Sequence, residues 1–159
     1  MKHTLSVLVE NQPGILSKVA GLFSRRGFNI DSLAVGVTED PTVSRMTIVV
    51  DGDEHMVEQV EKQLNKLIQV IKVRVLEPGR FISRELSLVK VSCRTGDRGD
   101  VMKIAELMQA RIVDVTTSTL TLQFCDTDER TETLLDLLRP YGFKEVVRAG
   151  AIAVEKGCH

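Results

Sequence analysis

At 159 residues the chain has room for one ordinary domain or two small ones, and its 43% hydrophobic and 27% charged residues are those of a globular protein. A formal net charge of −1, no Trp and one Tyr argue against a polyanion held by bulk charge and against base stacking; no run approaches the ~20 apolar residues of a membrane span. Cys93, Cys125 and Cys158 form no CxxC and His3, His55 and His159 no HxxxH or HExxH, so reduced thiols in a cytoplasmic protein are expected, and a disulfide framework or zinc site is not.

From the N-terminus, Met1-Lys2-His3-Thr4 lacks the apolar core of a signal peptide. Leu5, Val7 and Val9 then alternate with Ser6 and Glu10, which predicts a strand with one buried face; Leu8 on the other face implies that this side is not fully wet. Glu10-Asn11-Gln12-Pro13-Gly14 is a turn, and Ile15, Leu16, Val19, Leu22 and Phe23 follow helical spacing until Gly27. The next strand breaks parity. Phe28 and Ile30 are in one phase and Leu33, Val35 and Val37 in the other, which predicts a bulge near Asp31-Ser32. Met46, Ile48 and Val50 make a third strand, with Val49 out of phase. Val57, Val60, Leu64 and Leu67 make a second amphipathic helix, and Ile71, Val73 and Val75 a fourth strand. The order is βαββαβ, the ferredoxin-like arrangement. Two helices cover one face of such a sheet, so the out-of-phase Leu8 and Val49 predict that its other face meets something else.

Glu77-Pro78-Gly79-Arg80 reads as a linker, and beyond it the pattern recurs. Leu86 to Val91 is a strand, Val101, Ile104, Ala105 and Met108 a helix, and Ile112, Val113 and Val115 a strand. Ser44 to Val50 lines up with Ser118 to Phe124, and at the same offset Val73-Arg74 lines up with Val147-Arg148. The reading is an α+β chain of two tandem ferredoxin-like units with antiparallel sheets and helices on one face: residues 1–76, a linker 77–84, and residues 85–159.

No nucleophile has an activating base placed beside it by sequence. Cys93 and Cys125 sit on strand-like runs, where a buried, inert thiol is expected. The turn before the first helix is more suggestive. Helix starts expose N–H groups that suit a carboxylate, Gly14 leaves them unobstructed, and Asn11 offers a donor and an acceptor. Asn11 and Asn29 flank the first helix at opposite ends, so one small ligand reaches both only if a second copy supplies one of them. Asn11 is equally suited to an Asx-turn, and Asn29 to a left-handed cap after Gly27.

Leu5 to Leu16 resembles the opening of ACT domains, which are small-molecule-sensing regulatory modules. Arg25-Arg26-Gly27-Phe28-Asn29-Ile30-Asp31-Ser32-Leu33 and Asp40-Pro41-Thr42-Val43-Ser44-Arg45-Met46-Thr47-Ile48 resemble the small, regulatory subunit of acetolactate (acetohydroxyacid) synthase, as does Ile112-Val113-Asp114-Val115-Thr116. The resemblance implies a chain with no chemistry or cofactor of its own. It implies a catalytic large-subunit partner that uses thiamine diphosphate, Mg²⁺ and FAD, activation of that partner, and feedback inhibition by valine in branched-chain amino acid biosynthesis. It further implies a homodimer whose effector site takes Asn11, Gly14, Ile15 and Leu16 from one chain and Asn29 and Ile30 from the other. Neither nucleic acid nor membrane is an expected partner. The other readings are an ACT-type sensor regulating a different enzyme, an RNA-binding ferredoxin-like domain, for which the expected strand aromatics are missing, and a small stand-alone enzyme.

Overall fold

The computed structural model describes residues 1–157, which form two compact units. The first comprises Met1–Ile82 together with the chain from Ala151 onward. Its elements are β1 (Lys2–Glu10), α1 (Ile15–Arg25), β2 (Ile30–Val37), β3 (Val43–Asp51), α2 (Glu54–Asn65) and β4 (Val70–Leu76). The strands pair antiparallel in the order β2-β3-β1-β4.

Strand parity decides the layers. Leu5, Val7 and Val9 on β1 and Met46, Ile48 and Val50 on β3 share one face. They bury there against Ile15, Val19, Leu22 and Phe23 of α1 and Val57, Val60 and Leu64 of α2. Each fully buried Leu or Val contributes about 1.5–3 kcal/mol relative to exposure. The expected bulge is present: the β2–β3 register shifts between Ile30 and Ser32, which turns Leu33 onto the helix side opposite Ile48. Helix α1 stops at Gly27 (φ 70°). The Phe28 N–H donates to Phe23 O at 3.0 Å and the Gly27 N–H to Ser24 O at 3.2 Å, the Schellman pattern, with the Phe23 and Phe28 rings packed edge-on.

The other face of this sheet is covered in part by the chain's own C-terminal segment. The Ala151 N–H donates to Ser32 Oγ at 2.9 Å, and Arg74 pairs with Glu155 at 2.8 Å. Thr47, Val49 and Leu76 are buried on this side. The segment from Ala151, counted with the second unit on the sequence pattern, groups with the first. The linker is shorter than expected. Arg80 N–H donates to Glu77 O across a tight turn, and strand β5 (Phe81–Ser92) begins at once.

The second unit, Ser83–Gly150, holds most of β5, then α3 (Arg98–Met108), β6 (Arg111–Val115), β7 (Thr119–Asp126), α4 (Asp128–Leu138) and β8 (Phe143–Arg148), with strand order β6-β7-β5-β8. The last strand, β9 (Ile152–Glu155), belongs to the first unit, where the Lys156 N–H just after it donates to Arg80 O at 2.9 Å. The core of the second unit joins Val89, Val91, Leu120, Leu122 and Phe124 to α3 and α4. Two sequence expectations change here. Cys125 is exposed while Cys93 is buried, because Cys125 lies on the parity opposite Phe124. The alignment of Val73 with Val147 is displaced by one residue: Val73 pairs with inward Val7, whereas Val147 pairs with outward Leu88. Arg148 therefore points inward.

Candidate functional site

The loop after β1 is pinned before it reaches α1. The Asn11 N–H donates to Thr42 O at 2.8 Å, and Asn11 Nδ2 donates to Pro41 O at 2.9 Å. A carbonyl acceptor fixes which end of the amide faces the β2–β3 hairpin and turns Oδ1 away from it. The hairpin tip is itself stiff. Asp40 accepts from the Thr42 N–H at 2.9 Å and from Thr42 Oγ1 at 2.7 Å, and these bonds hold the Asp40 carboxyl below its ordinary value. Asn11 is thus both a strut and an outward acceptor. Its partners lie about 30 residues on, and only the run Asp40-Pro41-Thr42 hinted at them.

Gly14 caps α1 in the left-handed region (φ 86°, ψ −6°), and a Cβ there would meet nothing within 4 Å. The Ile15 N–H makes one long bond, 3.4 Å, to Gln12 O. The N–H groups of Leu16 and Ser17 have no acceptor among the described residues. This helix start has no side-chain cap and no acidic residue in its first turn. Those of α2 and α4 are closed. Asp53 accepts from the Met56 N–H and Thr127 from the Arg130 N–H, with Glu54, Asp128 and Glu129 in the first turns. The start of α3 carries Asp97 and Asp100. The α1 terminus alone among the four helices keeps its partial positive charge unanswered.

The six sequence-predicted site residues fall into two groups. Asn11, Gly14, Ile15 and Leu16 surround the helix start. The Ile15 side chain is only 7% exposed and belongs to the core, so that residue presents backbone alone, whereas Leu16 is 44% exposed. Asn29 is exposed just past the Schellman turn, and Ile30, half-buried, pairs with Val50. The 11 residues of α1 separate the groups by about 16 Å within one chain. Strand β2 is a sheet edge and displays Val35 and Val37, 48% and 60% exposed. An open apolar edge of this kind is a template for pairing with another chain.

Pattern reading missed a charge cluster in the second unit. Arg148 donates from Nε to Glu85 at 2.6 Å, from Nη1 to Glu132 at 2.7 Å and from Nη2 to Asp128 at 2.9 Å. Burial alone would lower the guanidinium's pKa; the bonds to Glu132, Glu85 and Asp128 outweigh it and raise it further above the usual arginine range. No helix among the described residues is long and apolar enough to cross a membrane.

Two families match most of the chain between them. Residues 5–72 match the AHAS small subunit-like ACT domain, and residues 84–157 match the family described as small subunit of acetolactate synthase. The chain is 50% identical over 155 residues to the acetolactate synthase small subunit of Mycolicibacterium smegmatis, spanning 98% of this chain and 91% of that one. It is 48% identical over 157 residues to the probable acetolactate synthase small subunit of Archaeoglobus fulgidus, spanning 99% and 98%. The crystal structure of the acetolactate synthase small subunit from Thermotoga maritima superposes with a TM-score of 0.91 at 35% identity, covering 100% of this chain and 99% of that one.

Proposed function

The chain belongs to the acetolactate synthase small-subunit family, and on that premise we propose that it is a non-catalytic, cytoplasmic regulatory chain that activates a catalytic large subunit and makes it sensitive to valine. Thiamine diphosphate, Mg²⁺ and FAD belong to that partner in this reading, and this chain holds none of them. The observation that carries the effector site is the unanswered start of α1 at Gly14.

A valine carboxylate accepts from the Leu16 and Ser17 N–H groups, with the helix dipole behind them. Gly14 permits the approach because it has no side chain and sits in a conformation that other residues resist. Asn11 Oδ1, turned away from the hairpin, accepts from the ammonium. The isopropyl group packs on Leu16. A second copy, paired along the open β2 edge, brings Asn29 and Ile30 across the 16 Å or so that separate them from the helix start within one chain. Ligand binding then favours one arrangement of the dimer, and a coupling of about 1–3 kcal/mol is enough to alter the partner's activity several-fold or more.

Titration of the purified chain with valine, leucine, isoleucine and unrelated amino acids by calorimetry, beside assays of the large subunit with and without it, tests the reading. We expect one valine site per chain, two per symmetric pair of facing copies, and higher large-subunit activity that valine removes. Tight binding of an unrelated amino acid with no valine response would point to a sensor for another enzyme. Turnover by this chain alone would overturn the regulatory role.

A further inference from the structure

Away from the helices, the first unit's sheet gathers charge of one sign. On β1 the outward parity carries Ser6 and Leu8. Leu8 has Arg45 of β3 directly across on one side and Lys72 of β4 on the other, and Ser6 has Arg74 across from it. Three cations thus share two rows of a sheet face, where like charges are unfavourable unless something answers them. One is answered: Arg74 is paired by Glu155, 2.8 Å away, from the returning C-terminal segment. Arg45 and Lys72 make no ion pair among the described residues, and Glu10, next on the same parity, engages neither.

These groups wall a pocket of about 300 Å³ whose floor is Leu8 and whose far wall is the segment bearing Glu155. That volume is at the small end for metabolite sites. Its formal charges are Arg45, Lys72 and Arg74 against Glu155, an excess of two positive. A concave surface lined by one sign of charge concentrates the opposite ion.

We propose that this pocket binds a small dianion, a dicarboxylate or a phosphate monoester, between Arg45 and Lys72 over Leu8. The Arg45 guanidinium grips one anionic group with paired N–H donors and the Lys72 ammonium takes the other. Ser6 Oγ supplies a further donor, and Leu8 accommodates the short carbon spacer. The same anion competes with Glu155 for Arg74, so occupancy loosens one tether of the C-terminal segment, which the Ala151 bond to Ser32 and the Lys156 N–H bond to Arg80 O still hold. The site is independent of the helix start at Gly14.

The test uses the full-length chain, with malonate and inorganic phosphate as probes, acetate as the monoanion control and sodium chloride as the ionic-strength control. Amide chemical shifts of Ser6, Leu8, Lys72 and Glu155 are followed by NMR. Saturable shifts with malonate, phosphate or both, stronger than with acetate, are expected, and the better probe assigns the source of the anion. Arg45→Gln and Lys72→Gln each weaken binding about tenfold, the loss of one charge-assisted hydrogen-bonding group. Glu155→Gln tightens it by removing the competitor. Gly14→Asp leaves it unchanged, which separates this site from the valine reading. Shifts that sodium chloride reproduces, or that survive Arg45→Gln and Lys72→Gln together in a folded chain, would overturn the proposal.

Discussion

The two units share a topology and differ at equivalent rows of their sheets. In the first, Leu5 sits between Ile48 and Val75, an apolar row under the helices. In the second, the corresponding row is Ser87 between Phe124 and Arg148. One unit finishes this row with buried hydrocarbon, the other with a partly exposed arginine tied to Glu85, Asp128 and Glu132, which joins β5, β8 and α4. Their first helices differ too: α1 starts bare at Gly14, and α3 starts among Asp97 and Asp100. One βαββαβ plan can therefore be finished with a first helix whose start stays open or as a unit that satisfies its own charges. Backbone topology does not decide which; a few side chains do.

The largest effect is expected where the second unit departs from the apolar row. Arg148→Ala leaves Glu85, 7% exposed, without its cation, and should destabilise that unit by about 3 kcal/mol. Tyr141 is the single tyrosine of the chain and lies in this unit, so its emission in a urea titration reports the loss. Val75→Ala in the first unit should leave the Tyr141 transition in place. If Arg148→Ala does so too, the polar row is ornamental.

Gly14→Asp attacks the other side of the comparison. It places a carboxylate where the first unit has none and a Cβ in a left-handed conformation. A loss of valine affinity of about a hundredfold is expected in calorimetry, since charge-assisted hydrogen bonds of ~1.5–3 kcal/mol are replaced by repulsion. Asp100→Asn, at the start of α3, should change it little. Equal effects from the two substitutions would mean that the bare start of α1 is not what distinguishes the units.

How much of this is readable in the sequence depends on range. The strands and helices of both units follow from apolar period, and the bulge at Asp31 from a parity break within ten residues, because those signals are local. Gly14 at a helix start was readable for the same reason. The hydrogen bond from Asn11 to Pro41 O, the inward turn of Arg148 and the return of Ala151 to Ser32 were not. Each depends on a partner 30 or more residues away in register that periodicity does not encode. Leu8 and Val49 did signal that the outer sheet face was not bare, but an apolar position does not name what covers it.

A smaller difference lies in the acid range. In the second unit burial pushes the Asp126 carboxyl up, but the Thr127 N–H at 2.7 Å and Arg130 Nε at 2.8 Å outweigh it and hold the group below its ordinary value. A depressed carboxylate stabilises the fold above its unfolded pKa, ~3.9, and that contribution is lost as pH falls through the lower folded value. Asp126→Asn should therefore flatten the fall in Tyr141-monitored stability below about pH 4. Its effect at neutral pH should stay under about 1 kcal/mol, because Arg130 is half in water.

The smallest effect compares the ends of the two first helices. Helix α1 ends through Gly27 at φ 70°, whereas α3 ends through Gln109 at φ 60°, the one non-glycine residue with positive φ in the described chain. The bonds correspond: Ala110 N–H to Ala105 O at 2.8 Å and Gln109 N–H to Glu106 O at 3.1 Å repeat those of Phe28 and Gly27. The second unit thus bears the steric cost of a Cβ in the left-handed region, ~1–2 kcal/mol, that glycine avoids. Glycine's larger unfolded-state entropy offsets part of that relief. Gln109→Gly should raise stability by about 0.5 kcal/mol, seen as a higher urea midpoint at an unchanged slope. Gly27→Gln should lower that of the first unit by a similar amount, read from helix circular dichroism because that unit holds no tyrosine. A loss of stability in Gln109→Gly would mean that the Gln109 side chain does more at this turn than endure its geometry.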